Sequence, residues 1–382
     1  MKIVIIGGVS NFKLIRGGIE SVVYNLSTQF FNYPRIDFYL LGNKVSENSI
    51  GNTHFQNISI PYPKLGLAFN YFFFNSKIIN NIEKRIHPDI YHFQGTIPNL
   101  LLLNKKIISR TVVTQHGILS EELRYQTNYF RKLKFIIKIF LENYTLPKVK
   151  NLIFISNYNK RYVFSKYPKM KDINHCLIYN PVHPMFFDKI KKDNSNFRMY
   201  FVGELKKRKG LHDLLMAIKL LKNEDLNLRL EIIGDFIEED YKNYINSILD
   251  DELNEIITFH GWQNKEGIQK ISSICNVFIL PSYQETLPVS IAEAMALGKA
   301  IIATDLPGIR EMIQDGKSGM LYKKGDIDEL SHKIGVLAKN KNLISRLCNE
   351  ASYRAKELFN PENILKNTVE FYEKILEKKN ET

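Results

Sequence analysis

Residues 280–319 read LPSYQETLPVSIAEAMALGKAIIATDLPGIREMIQDGKSG, and this stretch decides the fold. A short apolar run ends at Pro281, which breaks a strand and opens a loop. Pro288 suits an early helical position, because the N–H that proline lacks has no partner there in any case. We therefore predict a strand, a loop and a helix that begins near Leu287.

Two carboxylates lie eight positions apart across this junction, Glu285 before the predicted helix and Glu293 inside it. The first turn offers the N–H groups of Thr286, Leu287 and Val289 to an anion, and the helix dipole favours negative charge there. Carboxylates accept hydrogen bonds from hydroxyl groups. The pattern thus predicts a diphosphate at the helix start with sugar and ribose hydroxyls on either side. An isolated pair of glutamates would more simply be dipole partners, but the flanking residues favour the site.

Strands and helices alternate along both halves of the chain, which indicates parallel α/β architecture. The predicted strands of the first half are residues 2–6, 37–41, 89–93, 111–114 and 151–155. A turn-rich link follows at residues 180–184, and the second set is residues 197–202, 229–233, 256–259, 277–280 and 300–303. We predict two domains, residues 1–184 and 185–360. A C-terminal helix over residues 361–382 is expected to return to the first domain.

Two loops precede predicted helices and suit phosphate. Gly17 and Gly18 allow close approach of the backbone to a ligand, although a plain turn explains them equally well. Residues 203–210 read GELKKRKG and place Arg208 and Lys209 between a strand and a helix near Leu211. Basic side chains at such an exit bind phosphate, whereas without further context a solvated basic loop is as good an interpretation.

Histidines follow two of the predicted strands. His116 comes after an apolar strand and before Gly117, a position that faces the ligand crevice of an open α/β sheet. His260 and Gly261 end the apolar run IITFHGW. We expect His116 to be functional, and we expect Trp262 to pack rather than to bind.

Composition bounds the class of protein. The chain has 382 residues, 44% hydrophobic and 24% charged, which suits two ordinary globular domains. Its three cysteines are far apart, so neither a disulfide framework nor a zinc site is indicated and a reducing cytoplasm is expected. The apolar N-terminal run is too short for a signal peptide, and no run approaches 18 apolar residues. We expect a chain that is neither secreted nor membrane-spanning.

Charge is unevenly distributed. Residues 1–185 carry 24 basic and 9 acidic side chains, a net +15, whereas the remainder has 29 and 31, a net −2. Nucleic acid, an anionic membrane surface or an acidic acceptor is compatible with the basic half. Within it, residues 129–144 (YFRKLKFIIKIFLENY) place apolar side chains on one helical stripe and Arg131, Lys134, Lys138 and Glu142 on another. This pattern fits a helix in an anionic membrane interface and equally an ordinary helix with a solvated basic face.

The stretch quoted first closely resembles the signature of the retaining glycosyltransferases of family 4, members of the GT-B superfamily. The matching residues are Pro281, Ser282, Glu285, Glu293–Ala296, Gly298, Lys299, Ile301–Thr304, Gly308 and Glu311. The resemblance spans almost the whole chain. It implies an α/β GT-B fold, in which two doubly wound Rossmann-like domains face a central cleft.

The resemblance also implies roles for individual residues. His116 matches the histidine that contacts the donor's sugar and phosphate, and Lys209 the lysine that pairs with its diphosphate. The family's arginine position holds Glu204. Either Glu204 points away and Arg208 supplies the second charge, or donor binding is weaker than usual. The remaining donor-binding residues that the resemblance implies are Gly17, Gly18, Gly203, His260, Gly261, Thr286, Leu287 and Glu293.

The implied reaction is transfer of a hexosyl or N-acetylhexosaminyl group, with retention, from a UDP- or GDP-linked sugar to a glycan or lipid-linked acceptor in surface polysaccharide synthesis. No cofactor and no metal ion is expected, because Asp326 and Asp328 look like a helix start rather than a metal site. Cytoplasmic location, peripheral contact with an anionic inner membrane surface and no nucleic-acid partner complete the expectation. The alternatives are a GT-B-fold nucleotide-sugar epimerase and a basic nucleic-acid-binding module.

Overall fold

The computed structural model describes residues 1–7, 15, 17–30, 33, 35–41, 55–58, 75–95, 104–188, 197–222, 224 and 226–380. Two compact units make up the chain, Met1–Pro181 together with Pro361–Thr382, and Val182–Asn360. The sequence predicts the change of domain three residues later. Each unit is built around one parallel sheet.

The first unit has a seven-stranded parallel sheet in the order β3-β2-β1-β4-β5-β6-β7. Its strands are β1 (Lys2–Ile6), β2 (Asp37–Leu41), β3 (Phe55–Ile58), β4 (Ile90–Gln94), β5 (Thr111–Gln115), β6 (Asn151–Phe154) and β7 (Asn174–Leu177). Its helices are α1 (Gly18–Phe30), α2 (Asn75–Ile86), α3 (Leu119–Leu123), α4 (Tyr129–Thr145) and α5 (Asn157–Lys166).

The second unit has a six-stranded parallel sheet in the order β10-β9-β8-β11-β12-β13. Its strands are β8 (Phe197–Val202), β9 (Leu228–Ile233), β10 (Ile257–Phe259), β11 (Val277–Leu280), β12 (Ala300–Thr304) and β13 (Met320–Tyr322). Its helices are α6 (Leu211–Leu220), α7 (Glu239–Ile248), α8 (Asp251–Ile256), α9 (Lys265–Ser273), α10 (Val289–Ala296), α11 (Pro307–Met312), α12 (Ile327–Lys339) and α13 (Lys341–Phe359).

The last helix, α14 (Pro361–Asn380), belongs to the first unit although it follows the second in sequence. Phe371 and Tyr372 are buried in the same apolar cluster as Ile3 of β1 and Phe38 of β2. Burying one such side chain stabilises a fold by about 1.5–3 kcal/mol, so this helix is part of the core of the first unit.

The structure corrects the predicted start of the helix after β11. Helix α10 begins at Val289, with Pro288 as its N-cap in an extended conformation (ψ 118°), so Thr286 and Leu287 precede the helix. The N–H groups of Ile291 and Ala292 donate to Pro288 O. Any anion bound through Thr286 or Leu287 would therefore meet a loop just before the helix.

Among the described residues, no helix combines the length and the apolar content needed to cross a bilayer. Asp326 caps α12 by accepting a hydrogen bond from Glu329 N at 2.9 Å, as the sequence predicts. Within the same part of the chain, no three His, Cys, Asp or Glu side chains are grouped to hold a metal ion. That the reaction needs no metal ion stays a prediction.

Candidate functional site

In each sheet the strand order reverses once, beside the first strand of the unit: the next strands in sequence are added on one side of it and the later strands on the other side. In the second unit this place lies between β8 and β11, and in the first between β1 and β4. Ligands of open α/β sheets bind outside the carboxyl ends of the strands at such switch points. The loops that leave β8 and β11 carry Lys209 and Glu285, so the predicted site residues meet where the topology favours a ligand.

Lys209 and Glu285 form an ion pair across the two loops. Lys209 Nζ lies 2.6 Å from Glu285 Oε1, although the two residues are 76 positions apart. Arg208 Nη1 lies 4.0 Å from Glu285 Oε2 and donates to Gln284 O and to Gln284 Oε1, each at 2.6 Å. The Lys209 and Glu285 side chains are only 14% and 8% exposed. The basic loop is therefore attached to the loop after β11 by charge-assisted hydrogen bonds, which are stronger than neutral ones.

Burial and neighbouring charges shift the pKa values of this pair in opposite directions. Burial alone would raise the pKa of Glu285, but the nearby charges of Lys209 and Arg208 outweigh it and hold that pKa below its ordinary value. Burial lowers the pKa of Lys209, and the charge of Glu285 opposes this only in part. Glu285 is thus an ionised carboxylate beside two cations, a set of charges that can both accept sugar hydroxyls and attract a diphosphate.

Backbone contacts set the spacing of the two loops. Residues Lys207–Lys209 form one turn of 3-10 helix, and Tyr283 N donates to Arg208 O at 2.8 Å. Gly210 ends the turn with φ 71°, and a Cβ there would lie 1.9 Å from Pro281 O. The loop after β8 can approach the loop after β11 this closely only because residue 210 has no side chain.

Glu293 lies on α10 and is 8% exposed. Its Oε1 is 3.5 Å from Lys265 Nζ at the start of α9. Burial raises the pKa of Glu293, and the charge of Lys265 offsets the effect only in part. Glu285 and Glu293 therefore differ in character, the first held charged by two cations and the second facing one cation at longer range.

Glu204 directs its carboxylate to Lys206 Nζ and is about 40% exposed at its side chain. Together with the contact of Arg208 to Glu285, this orientation is compatible with the first of the two expectations for Glu204, in which Arg208 supplies the second charge. Gly203, which precedes it, donates its N–H to Ile233 O at 3.0 Å.

His260 and Gly261 follow β10 at the edge of the second sheet. The His260 imidazole is engaged by Glu231, with Nε2 2.7 Å from Glu231 Oε2, and Arg198 holds the other oxygen at 2.9 Å. Gly261 O accepts from Gly234 N at 2.8 Å. The Nε2 edge of the partly exposed His260 side chain is thus engaged by Glu231 and is not free for a ligand.

Gly17 directly precedes α1 in the first unit, and Gly18 is the first residue of that helix. Gly17 O accepts from Ser21 N at 3.0 Å, and Gly17 N donates to Glu20 Oε2 at 3.3 Å, a capping arrangement in which the helix supplies its own acceptor. A Cβ on Gly17 would meet no atom within 4 Å. An anion that binds the Gly17 N–H would have to displace the Glu20 carboxylate. The sequence alone does not reveal this competition.

His116 belongs to a buried polar network at the carboxyl ends of β4 and β5. Its Nε2 is 2.6 Å from Gln94 Oε1, and Gln94 Nε2 is 3.2 Å from His92 Nε2. His92 Nε2 is also 2.6 Å from Thr114 Oγ1, and its Nδ1 is 2.5 Å from Tyr372 OH on α14. With Gln94 oriented in this way, His116 carries its proton on Nε2 and leaves Nδ1 as an acceptor.

Both histidines are neutral in the folded chain. Burial lowers the pKa of His92 to about 3 and that of His116 to about 4, from an ordinary value of 6.5. Below pH 6.5 the unfolded chain binds protons that these buried rings do not, so stability falls as the pH falls from 6.5 toward 4.

We expect the thermal unfolding midpoint to drop between pH 7 and pH 5, and to drop less in His92→Gln, because that variant removes one group whose protonation favours unfolding. His332→Gln, at an exposed position, is the matched control. Midpoints recorded by circular dichroism at the two pH values measure the difference. Equal drops in wild type and His92→Gln would contradict the neutral, buried state of His92.

Three contributors are not predicted by the sequence. Lys265 reaches Glu293, Gln284 binds Arg208, and Gln94 joins His92 to His116. Gln94 directly follows the predicted strand 89–93 and precedes a glycine, a position that could have identified it. Lys265 and Gln284 carry no comparable signal, because their partners are distant in sequence.

Comparison with known proteins identifies the family to which the chain is similar. Residues 16–185 match the family model described as Glycosyltransferase Family 4, and residues 184–358 match Glycosyl transferases group 1. An uncharacterized glycosyltransferase of Methanocaldococcus jannaschii is 24% identical over 95% of both chains. The capsular polysaccharide biosynthesis glycosyltransferase CapM of Staphylococcus aureus is 25% identical over 48% of this chain and 47% of its own. The structure of Anabaena HepE in complex with UDP and glucose covers 97% of this chain and 98% of that one, with a TM-score of 0.74 and 17% identity.

Proposed function

Because the chain belongs to the glycosyltransferases of family 4 and group 1 and has their GT-B fold, we propose that it transfers a hexosyl or N-acetylhexosaminyl group, with retention, from a UDP- or GDP-linked sugar. The observation that carries this proposal is the ion pair of Lys209 with Glu285 at the β8/β11 switch point. An ion pair that served only to stabilise the fold would not need to lie where the topology favours a ligand.

The proposed roles follow from charge. A departing nucleoside diphosphate gains negative charge as the glycosidic bond breaks, so fixed cations at that point lower the barrier. Lys209 and Arg208 are cations held by buried contacts, and Glu285 beside them accepts hydrogen bonds from sugar hydroxyls. Glu293 binds the nucleotide ribose, and His116 offers its Nδ1 to the donor. No side chain is assigned as a nucleophile, and the departing phosphate is proposed to assist the acceptor hydroxyl on the same face.

For the acceptor we propose a hydroxyl of a glycan or of a lipid-linked oligosaccharide in the synthesis of capsule, O-antigen or exopolysaccharide. The similarity to CapM and the net +15 of residues 1–185 support this choice, since anionic carriers and membrane surfaces attract a basic face. Action on the cytoplasmic side of the membrane, without a metal ion, is part of the proposal.

A panel of nucleotide sugars tests the function. A thermal-shift screen with UDP-glucose, UDP-N-acetylglucosamine and GDP-mannose identifies the donor, because a ligand that binds only the folded chain raises its stability. Proton NMR of the transferred or hydrolysed sugar then gives the anomeric configuration. An inverted product would exclude retention, and a donor converted into an epimer would replace transfer by the epimerase alternative.

Glu293→Gln should weaken donor affinity about tenfold while changing kcat little, because a charged acceptor for ribose hydroxyls is replaced by a neutral one. Glu357→Gln, an exposed position on α13, is the matched control. Steady-state kinetics with the donor from the screen separates KM from kcat. A loss in kcat alone would contradict the assignment of Glu293 to the nucleotide.

A further inference from the structure

Helix α4 presents large apolar side chains to solvent. The exposed fractions are 74% for Tyr129, 72% for Phe130, 45% for Leu133, 52% for Ile136, 50% for Ile137, 70% for Phe140 and 53% for Tyr144. At about 100° per residue these seven lie within an arc of about 120°. We call this set the α4 apolar face. Large contiguous apolar surfaces on a folded chain mark interaction sites.

The orientation of the helix is fixed from its opposite side. Glu142 and Thr145 are 3% and 0% exposed, and Glu142 Oε2 accepts from Gln115 Nε2 at 3.2 Å. Asn128 caps the helix by accepting from Phe130 N at 2.9 Å. Turning the apolar face inward would therefore expose a buried carboxylate and break its contact with β5. The stripe predicted from the sequence forms, but it faces outward while the predicted polar residue Glu142 is buried.

Positive charge borders the α4 apolar face. Lys132 and Lys134 are exposed on its two flanks, and Arg131 and Lys138 are half-buried beneath them. Lys148 lies over the ring of Tyr144, with Nζ 3.2 Å from its centroid. An apolar arc between exposed lysines is the pattern of helices that lie in the interface of an anionic bilayer. A second copy of this chain would instead bring two sets of lysines together, which like-charge repulsion disfavours.

We propose that the α4 apolar face docks into the interfacial layer of an anionic membrane, with Lys132 and Lys134 at the headgroups. The helix would lie along the surface, and its apolar residues would enter between the acyl chains and the headgroups. This inference deepens the membrane location included in the proposed function by naming the surface that makes the contact. Its test is separate from the transfer reaction, because membrane binding can be measured without donor or acceptor.

Co-sedimentation of the full chain with vesicles tests the proposal. We expect binding to phosphatidylglycerol vesicles at low salt, weak binding to phosphatidylcholine vesicles, and a decline as salt screens the lysines. Phe130→Ser/Phe140→Ser should lower the fraction bound at least tenfold. Tyr353→Ser on α13, which removes an aromatic ring that is 72% exposed elsewhere, should not change it.

A charge-matched pair completes the experiment. Lys132→Glu/Lys134→Glu should abolish the preference for phosphatidylglycerol, whereas Lys341→Glu/Lys356→Glu, with the same change in net charge at exposed positions of α13, should retain it. Equal loss in both pairs would assign binding to overall charge and overturn the proposal. No binding at low salt would overturn it too, and a dimer in sedimentation velocity that Phe130→Ser/Phe140→Ser dissolves would then assign the face to a second copy. Donor-induced thermal shifts of the same variants report separately on the proposed function.

Discussion

Glu285→Gln is expected to lower kcat for transfer by about 10²- to 10³-fold, the scale on which removal of one electrostatic contact to a transition state acts. The substitution keeps the shape of the side chain but removes the charge that faces Lys209 at 2.6 Å. Since burial already lowers the pKa of Lys209, loss of the carboxylate lowers it further. The variant thus replaces one charged acceptor oxygen by an amide NH2, which can only donate, and weakens the cation that we propose meets the diphosphate.

The same change should reduce stability, which the sequence alone does not predict. Removing one partner of a buried ion pair leaves an uncompensated charge, a loss of about 3 kcal/mol or more. In the double variant Lys209→Met/Glu285→Gln both charges are gone, so we expect stability to recover toward that of the wild type while transfer stays low. Thermal unfolding and kcat measured on both single variants and the double variant form a mutant cycle.

The cycle also tests whether the pair acts as a unit. If Lys209 and Glu285 serve one step together, the double variant should be about as inactive as either single variant, because effects of coupled residues are not additive. Multiplied losses of kcat, or a Glu285→Gln variant with wild-type activity and unfolding midpoint, would contradict the coupling on which the site rests.

The sequence predicts the central strands of both sheets but misses most of their edge strands. Strands β1, β2, β8 and β11 have the predicted bounds, because apolar runs flanked by glycine or proline are unambiguous. Strands β3, β7 and β13, which the sequence does not predict, are the outer strands of their sheets at three of the four edges. β7 is half-buried throughout its length, and edge strands carry a weaker apolar signal because they pack against fewer neighbours.

Helix α4 shows a second limit of sequence patterns. Periodicity finds the stripe that contains Phe130 and Phe140, but it does not say which stripe faces the core. That choice depends on partners such as Gln115, which binds Glu142 from β5. The same limit applies to the candidate site. Strand ends predict which residues reach the carboxyl edge, whereas the pairing of Lys209 with Glu285 depends on β8 and β11 being neighbours, which only the topology supplies.

Gly210→Ala is expected to be strongly damaging to both stability and transfer. The added Cβ would lie 1.9 Å from Pro281 O, whereas Cβ contacts under 3.0 Å essentially never occur, so the loops after β8 and β11 must separate by about 1 Å. The left-handed backbone at φ 71° adds about 1–2 kcal/mol of strain for alanine. Because Lys209 precedes this glycine, the shift moves its Nζ away from Glu285, and a displacement of this size lowers transfer by about 10²-fold.

Gly316→Ala separates the two causes. Gly316 has nearly the same backbone, φ 69°, but a Cβ there would meet no atom within 4 Å. It should therefore show the strain without the clash, with a lower unfolding midpoint and unchanged transfer. UDP and GDP titrations followed by thermal shift, together with kcat, measure both variants. Gly210→Ala should lose the nucleotide-induced shift that Gly316→Ala retains. If both variants keep it, the close approach of residue 210 to Pro281 has no part in donor binding, and the site must be built without the loop after β8.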